Sequence, residues 1–235
     1  MKRNYKVLLV VGIVVAGLWS FIPSKKVTGD DKDKMLIELL SFVLEKGHFS
    51  PIELNDEFSK KAYASYIESL DPTKRYFIQS DIAEFQKYEL AIDDMIRSKD
   101  LSFFDLTYKR LMQRMKESKV IYTSILSKPL DLNDNETINV DYEKLPYAAT
   151  MKDLDQRWRK QLELAVLSDI TDKEEIQNAL KSGIIDESSA AKEEKPAEKT
   201  EPKSFEELEI TARKTTESNL NNNFSFIAEL TREDW

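Results

Sequence analysis

The stretch NDEFSKKAYASYIESLDPTKRYF, residues 55–77, decides the fold class. Asn55 has the side chain that caps a helix start, accepting a hydrogen bond from a first-turn amide. Behind it Phe58, Ala62, Tyr66 and Leu70 recur at i, i+4, which places them along one helical face. Asp71-Pro72 ends the run, because proline lacks an N–H and pushes the preceding residue out of the helical region. An aromatic connection through Tyr76 and Phe77 follows.

The same period recurs on both sides. Upstream, Asp30 or Asp31 caps a predicted helix running to Glu45 or Lys46. Its Met35, Leu36, Leu39, Leu40, Phe42 and Val43 form one broad apolar face, and Gly47 is its stop. Downstream, Ser80 is the expected cap of a third helix, with Asp81 and Glu84 in its first turn and Phe85, Tyr88, Ile92 and Ile96 behind. A fourth runs from about Ser102 to Leu126, with Phe104, Leu111, Met115, Tyr122 and Leu126 inward, and Pro129 beyond its end.

Leu130–Leu132 and Ile138–Val140 flank the turn-rich Asn133-Asp134-Asn135, which predicts at most one small β-hairpin. Lys152 to Ser168 reads as a helix through Leu154, Trp158, Leu162 and Val166; a separate one starts at Asp169 or Thr171 and reaches Leu180 before Gly183. Residues 186–203 are a low-complexity tract of Glu, Lys, Ala, Ser and two prolines. Too little apolar surface is available there to offset the entropy of ordering, so a disordered insertion is expected. Ser204-Phe-Glu-Glu207 is a capping box that opens a last helix through Ile210 and Phe226 to about Leu230. Helices in succession with short loops predict an all-α domain over residues 30–235.

Both ends carry further signals. Lys2, Arg3 and Lys6 precede an apolar run from Val7 to Ile22 that Pro23 closes. Residues 1–26 therefore read as an export segment, either a cleaved signal peptide or a retained inner-membrane anchor over 7–22, with the rest periplasmic. Thr231-Arg-Glu-Asp234 repeats the capping-box pattern, with Trp235 as the first apolar residue of the helix it would open. On that reading the chain is a fragment cut at a junction; the alternative is that Trp235 is the native terminus.

Composition excludes several chemistries. The net charge of −8 gives no electrostatic case for nucleic acid. With no cysteine in the chain, thiol catalysis, disulfides and Cys-ligated zinc are ruled out. Five glycines are too few for Gly-rich phosphate or dinucleotide loops. His48 is the single histidine, and its place at the end of the first helix suits a dipole partner better than a catalyst.

Asp131, Asn133 and Asn135 match the first half of a calcium loop, but Glu136 stands where glycine is needed and Tyr142 where an acid is needed, so an Asx-turn network is expected instead. Ser189-Ala-Ala-Lys192 has serine–lysine spacing but sits in the low-complexity tract, where nothing desolvates the lysine. The aromatic set Tyr63, Tyr66, Tyr76, Phe77, Phe85 and Tyr88 is expected to pack as core around the 70–80 connection, a partner groove being the alternative. The carboxylates along the helices read as solvated faces. Asn135-Glu-Thr137 and Asn223-Phe-Ser225 fit glycosylation acceptors, which matter only in a eukaryotic secretory pathway. No catalytic, metal or cofactor residue is assigned.

Ala64-Ser-Tyr66-Ile-Glu-Ser-Leu70-Asp71-Pro72, followed by Arg75-Tyr-Phe77 and Ser80-Asp-Ile82, resembles the opening of the N-terminal domain of tail-specific proteases, or C-terminal processing peptidases. Lys128-Pro-Leu-Asp131 and Asn139-Val-Asp141 are similar to its middle segment, and Leu154-Asp-Gln-Arg-Trp158 and Arg232-Glu-Asp-Trp235 to its later parts. The series covers about Lys34 to Trp235.

The resemblance implies an exported serine protease in which a helical domain precedes a PDZ domain gripping substrate C-termini and a peptidase domain with a Ser/Lys dyad. It further implies that this domain is a non-catalytic scaffold restricting access to those domains. Protein substrates, an adaptor protein and, through the anchor, the inner membrane are the implied partners. No position here matches the family's catalytic motif. The rival expectation is a membrane-tethered periplasmic adaptor or chaperone, complete in itself.

Overall fold

A computed structural model describes residues 29–47, 52–132, 136–182 and 203–235, and seven α-helices follow one another among them. They are α1 (Gly29–Phe42, extended by a π-helical turn over Val43–Gly47), α2 (Asp56–Leu70), α3 (Gln79–Phe85, followed by a 3-10 turn at Gln86–Tyr88), α4 (Ile92–Ser98), α5 (Ser102–Leu126), α6 (Met151–Lys181) and α7 (Phe205–Glu229). The one β-type pairing among the described residues is an isolated parallel bridge between Ile78 and Ala148. The chain is all-α. The export segment 1–26, His48, Asn133, Asn135 and the Ser189–Lys192 pair lie outside the described residues, as does the low-complexity tract up to residue 202.

Helix α5 organises the rest. At 25 residues it is roughly 37 Å long, and it contributes to two hydrophobic cores in turn. Its first half supplies Phe103, Leu111 and Met115 to a core completed by Tyr63 and Ile67 of α2, Phe77 of the connection and Phe85 of α3. Its second half supplies Tyr122 and Leu126 to a core with Leu154, Trp158, Leu162, Val166 and Ile170 of α6 and Leu208 and Ala212 of α7. Helices α5, α6 and α7 each pack on the other two.

The expected aromatic core around the 70–80 connection is present. Tyr63, Phe77 and Phe85 are buried, with Tyr66, Tyr76 and Tyr88 packed at the margin. Phe103 is the hub, with ring centroids 4.9 Å from Tyr88, 5.6 Å from Tyr66 and 5.7 Å from Tyr63. Offset and edge-on ring pairs of this kind add about 0.5–1.5 kcal/mol beyond their area burial.

Several local expectations are corrected. Asp169 does not start a new helix: α6 runs through it, because Ile170 extends the Leu154-Trp158-Leu162-Val166 stripe by one more i+4 step and is buried in the same core. Asp169 instead pairs with Lys173, 2.7 Å away on the next turn. The third helix is broken into α3, a 3-10 turn and α4, and Ser80 does not cap it. Helix α3 begins at Gln79, its cap position Ile78 lying two residues before Ser80, and the Asp81 carboxylate reaches back to the Ile78 amide (3.0 Å).

In α2 the buried stripe is Ser59, Tyr63 and Ile67, one residue on from Phe58, Ala62 and Tyr66, because Ser59 finds a buried partner across the helix pair. In α5 the inward phenylalanine is Phe103, while Phe104 stacks on Tyr108. Neither Leu130–Leu132 nor Ile138–Val140 forms a strand; Leu130 and Leu132 pack on the core of α6 and α7 instead.

Candidate functional site

Three aspartates are buried among the described residues, each held in its own way. Asp71 ends α2, and its carboxylate accepts from three successive amides: Arg75 on one oxygen, Tyr76 and Phe77 on the other, all at 2.9 Å. The carbonyls of the same connection are taken up by α6. The indole of Trp158 donates to Arg75 (2.8 Å), the Arg157 guanidinium to Lys74 (2.6 Å) and the Gln161 amide to Thr73 (3.2 Å). Residues 157, 158 and 161 share one helical face, so α6 clamps the connection in register. Lys74 turns the chain with a φ of 49° and spends its ammonium on the carbonyls of Glu143 and Leu145.

Asp81 is equally buried but sits among cations. Arg114 of α5 donates to both its oxygens (2.8 and 2.9 Å), and Arg110 donates to it from one turn earlier. The two sites titrate in opposite directions. Burial pushes Asp71 above the usual carboxylate range, and three neutral amides and Arg75 only partly offset it. Burial acts on Asp81 too, but there the Arg114 guanidinium, the Ile78 amide and Arg110 together outweigh it and hold the group low.

Asp93 of α4 receives the Ser59 hydroxyl (2.6 Å) and returns its own amide to the Ser59 oxygen (2.9 Å). Arg97 closes the group, reaching Asp93 (2.7 Å) and the Leu54 carbonyl. The Ser59 hydrogen bond, against burial, and then Arg97 hold Asp93 below its ordinary value. A serine bonded to a carboxylate resembles part of a nucleophilic relay, but Ser59 is fully buried and its third partner is a guanidinium, which takes up no proton. The arrangement locks α2 to α4. Sequence reading missed it; the one signal was a serine in register with Tyr63 and Ile67.

An open cleft of about 530 Å³ lies between α2, α3 and the 143–147 segment, lined by Tyr63, Ile67, Glu68, Lys74, Ile82 and Tyr147 among others. Burial, then Glu89, pushes the Tyr63 phenol up to about 12, and its buried hydroxyl lacks a hydrogen-bond partner. Burial raises Tyr147 as well. The two raised phenols sit beside a lysine already bonded to two carbonyls, with Glu68 and Glu143 also lining the cleft. Glu136, which stands where a calcium loop needs glycine, is committed to Arg159 (2.9 Å) and Lys160 (2.9 Å).

The most unusual surface belongs to α1. The apolar face foreseen in the sequence faces outward: Met35, Leu36, Leu39, Leu40, Phe42 and Val43 are 42–65% exposed. The opposite side turns toward the body and is held by ion pairs from Asp33 to Arg232 (2.8 Å) and from Glu38 to Lys99 (2.7 Å). No helix among the described residues is long and apolar enough to cross a membrane.

Comparison with known proteins gives the arrangement its context. The chain is 38% identical over 117 residues to the tail-specific protease of Haemophilus influenzae, a match covering 49% of this chain and 17% of that protein. The chain thus spans less than a fifth of the curated relative it matches. The family model described as the tail specific protease N-terminal domain matches residues 40–235, which takes in α2 through α7 and the Thr231–Trp235 turn. With that match running across both cores and all three buried aspartates, the chain belongs to the tail-specific protease N-terminal domain family.

Proposed function

We propose that this chain is the non-catalytic N-terminal domain of an exported serine protease that degrades or processes proteins from their C-terminal tails. In this reading it is a scaffold that limits access to a PDZ domain and a Ser/Lys peptidase domain elsewhere in the polypeptide. The observation that carries it is the state of the buried acids. Asp71, Asp81 and Asp93 are each saturated by amides, guanidinium groups or a serine hydroxyl, which suits rigid support rather than proton transfer. Family membership supplies the protease context.

The test compares two purified proteins, this chain and the full-length protein containing it, on an unstructured peptide with an apolar C-terminus. The full-length protein is expected to cleave it in a manner blocked by a serine-directed inhibitor, and this chain to leave it intact. Inhibitor-sensitive cleavage by the 235-residue chain would end the scaffold reading.

A further inference from the structure

The cleft between α2, α3 and the 143–147 segment combines an apolar lining with unpaired acids. Tyr63, Ile67, Ile82 and Tyr147 supply the apolar part, and Glu68 and Glu143 the acidic part. At about 530 Å³ it falls within the roughly 300–1,000 Å³ of sites that take a ligand. Both glutamates are exposed, and among the described residues neither carboxylate has a hydrogen bond or an ion-pair partner. Lys74 is the one cation lining the cleft, and its ammonium is already held by the carbonyls of Glu143 and Leu145, 5.3 Å from the centre of the Tyr147 ring.

Beneath these acids lies an unsatisfied group. Tyr63 is 8% exposed, and its buried hydroxyl has no hydrogen-bond partner among the described residues. Native interiors leave few such groups unpaired, because each forfeits its hydration without a replacement. The hydroxyl is near enough to the Tyr147 phenol to act on it, behind burial and Asp71, which puts it on the side that faces the cleft. Negative charge reaches the same place from two directions. After burial, Glu89 acts on the Tyr63 phenol, and Asp71 and Glu68 act on that of Tyr147. The cleft therefore offers acceptors and apolar rings to a ligand, and its single cation is already engaged.

We infer that this cleft binds an extended segment of another, basic protein through an arginine or lysine set beside an apolar side chain. The cation pairs with Glu68 and Glu143, the apolar side chain lies on Ile67, Ile82 and the Tyr147 ring, and a backbone carbonyl of the segment accepts from the Tyr63 hydroxyl. Tyr63 then gains the partner it lacks, so the seated segment makes a bond that the empty cleft does not. The net charge of −8 draws a basic partner toward this chain before contact.

The probes are rhodamine-labelled, C-terminally amidated hexapeptides carrying Arg or Lys next to Leu or Phe, with matched peptides that carry Glu in place of the base. Fluorescence anisotropy follows their binding to the 235-residue chain and to the full-length protein containing it, the latter with a serine-directed inhibitor present. The expected result is saturable binding of the basic peptides to the short chain, at least tenfold tighter than that of the acidic ones. Glu68→Gln combined with Glu143→Gln, both at exposed positions, should weaken it at least fivefold. Tyr63→Phe, which removes an unpaired hydroxyl and keeps the ring stacked on Phe103, should weaken it at least threefold. The same variant-sensitive binding should persist in the full-length protein. In nitrogen-15 spectra of the short chain the amides that shift should lie within 63–68 and 143–147 and at 82. No saturation into the millimolar range overturns the inference, as do equal binding of the acidic peptides, binding that the variants leave unchanged, and shifts confined to other segments. Variant-sensitive binding that is lost in the full-length protein also overturns it, and means that the rest of that polypeptide fills the cleft. Shifts in these segments that grow with protein concentration alone mean a second copy, and overturn it too. Binding to the short chain is read without proteolysis, so its failure leaves the scaffold proposal standing, and the failure of that proposal leaves the cleft's ligand standing.

Discussion

Asp81→Asn removes one charge from the most heavily loaded side chain in the fold and keeps its shape. The carboxylate is fully buried, and its cationic partners Arg114 and Arg110 are 9% and 23% exposed. All three guanidinium contacts lose the carboxylate charge, and those that fall on the new amide NH₂ set donor against donor. Removing one partner of a buried pair costs about 3–5 kcal/mol. Glu117 still holds Arg114 at 2.7 Å, and Arg110 still reaches Glu84 and solvent, so the lower end applies, about 3 kcal/mol.

For a chain of this size that is a fall in Tm of roughly 6–12 °C. Far-ultraviolet circular dichroism during a thermal ramp at pH 7 measures it directly. The pH dependence supplies a second reading. Because the folded-state value of Asp81 is held low, its contribution is fully present above the unfolded aspartate value of about 3.9 and is lost as pH falls through the folded value. The gap between parent and variant should therefore close in that acid window. A Tm change under 2 °C at pH 7, or a gap that persists undiminished at pH 2, would refute the assignment of Asp81 as the tie between α3 and α5.

Trp158→Phe leaves the Arg75 carbonyl without its indole donor and opens space at the hub of α6; urea unfolding should show a loss of about 2–4 kcal/mol, and a loss under 0.5 would contradict the clamp. Ser59→Ala breaks both bonds to Asp93 and should destabilise by about 1–3 kcal/mol with no change in urea m-value; an unchanged midpoint would mean that α2 and α4 hold together by apolar contact alone.

The helix starts at Asn55 and Ser204 were legible because capping is local. Asn55 accepts the Phe58 amide (3.0 Å), and Ser204 and Glu207 close a reciprocal box. The α6 stripe was legible up to Val166, but its continuation was misread, since Asp169 and Thr171 look like caps until Ile170 is seen entering the core. Periodicity says which residues share a face; it does not say which way the face turns. The ion pairs that tie α1 to the body run to Lys99 and Arg232, 61 and 199 residues from their carboxylate partners. The buried aspartates were hidden for the same reason. Asp81 reads as a first-turn acid, and nothing within one helical turn announces Arg110 and Arg114.

The clamp on the α2–α3 connection also sets an order of events during synthesis. Its carbonyl acceptors at Thr73, Lys74 and Arg75 wait for donors 83 to 88 residues downstream. At about 5–20 residues per second, the ribosome delivers those donors roughly 4–18 s after the connection itself. Through that interval the carbonyls of the connection and the Tyr76 ring lack the α6 side of their packing. A holding factor that recognises aromatic segments has its opening then, and slow codons placed between positions 75 and 157 would lengthen it.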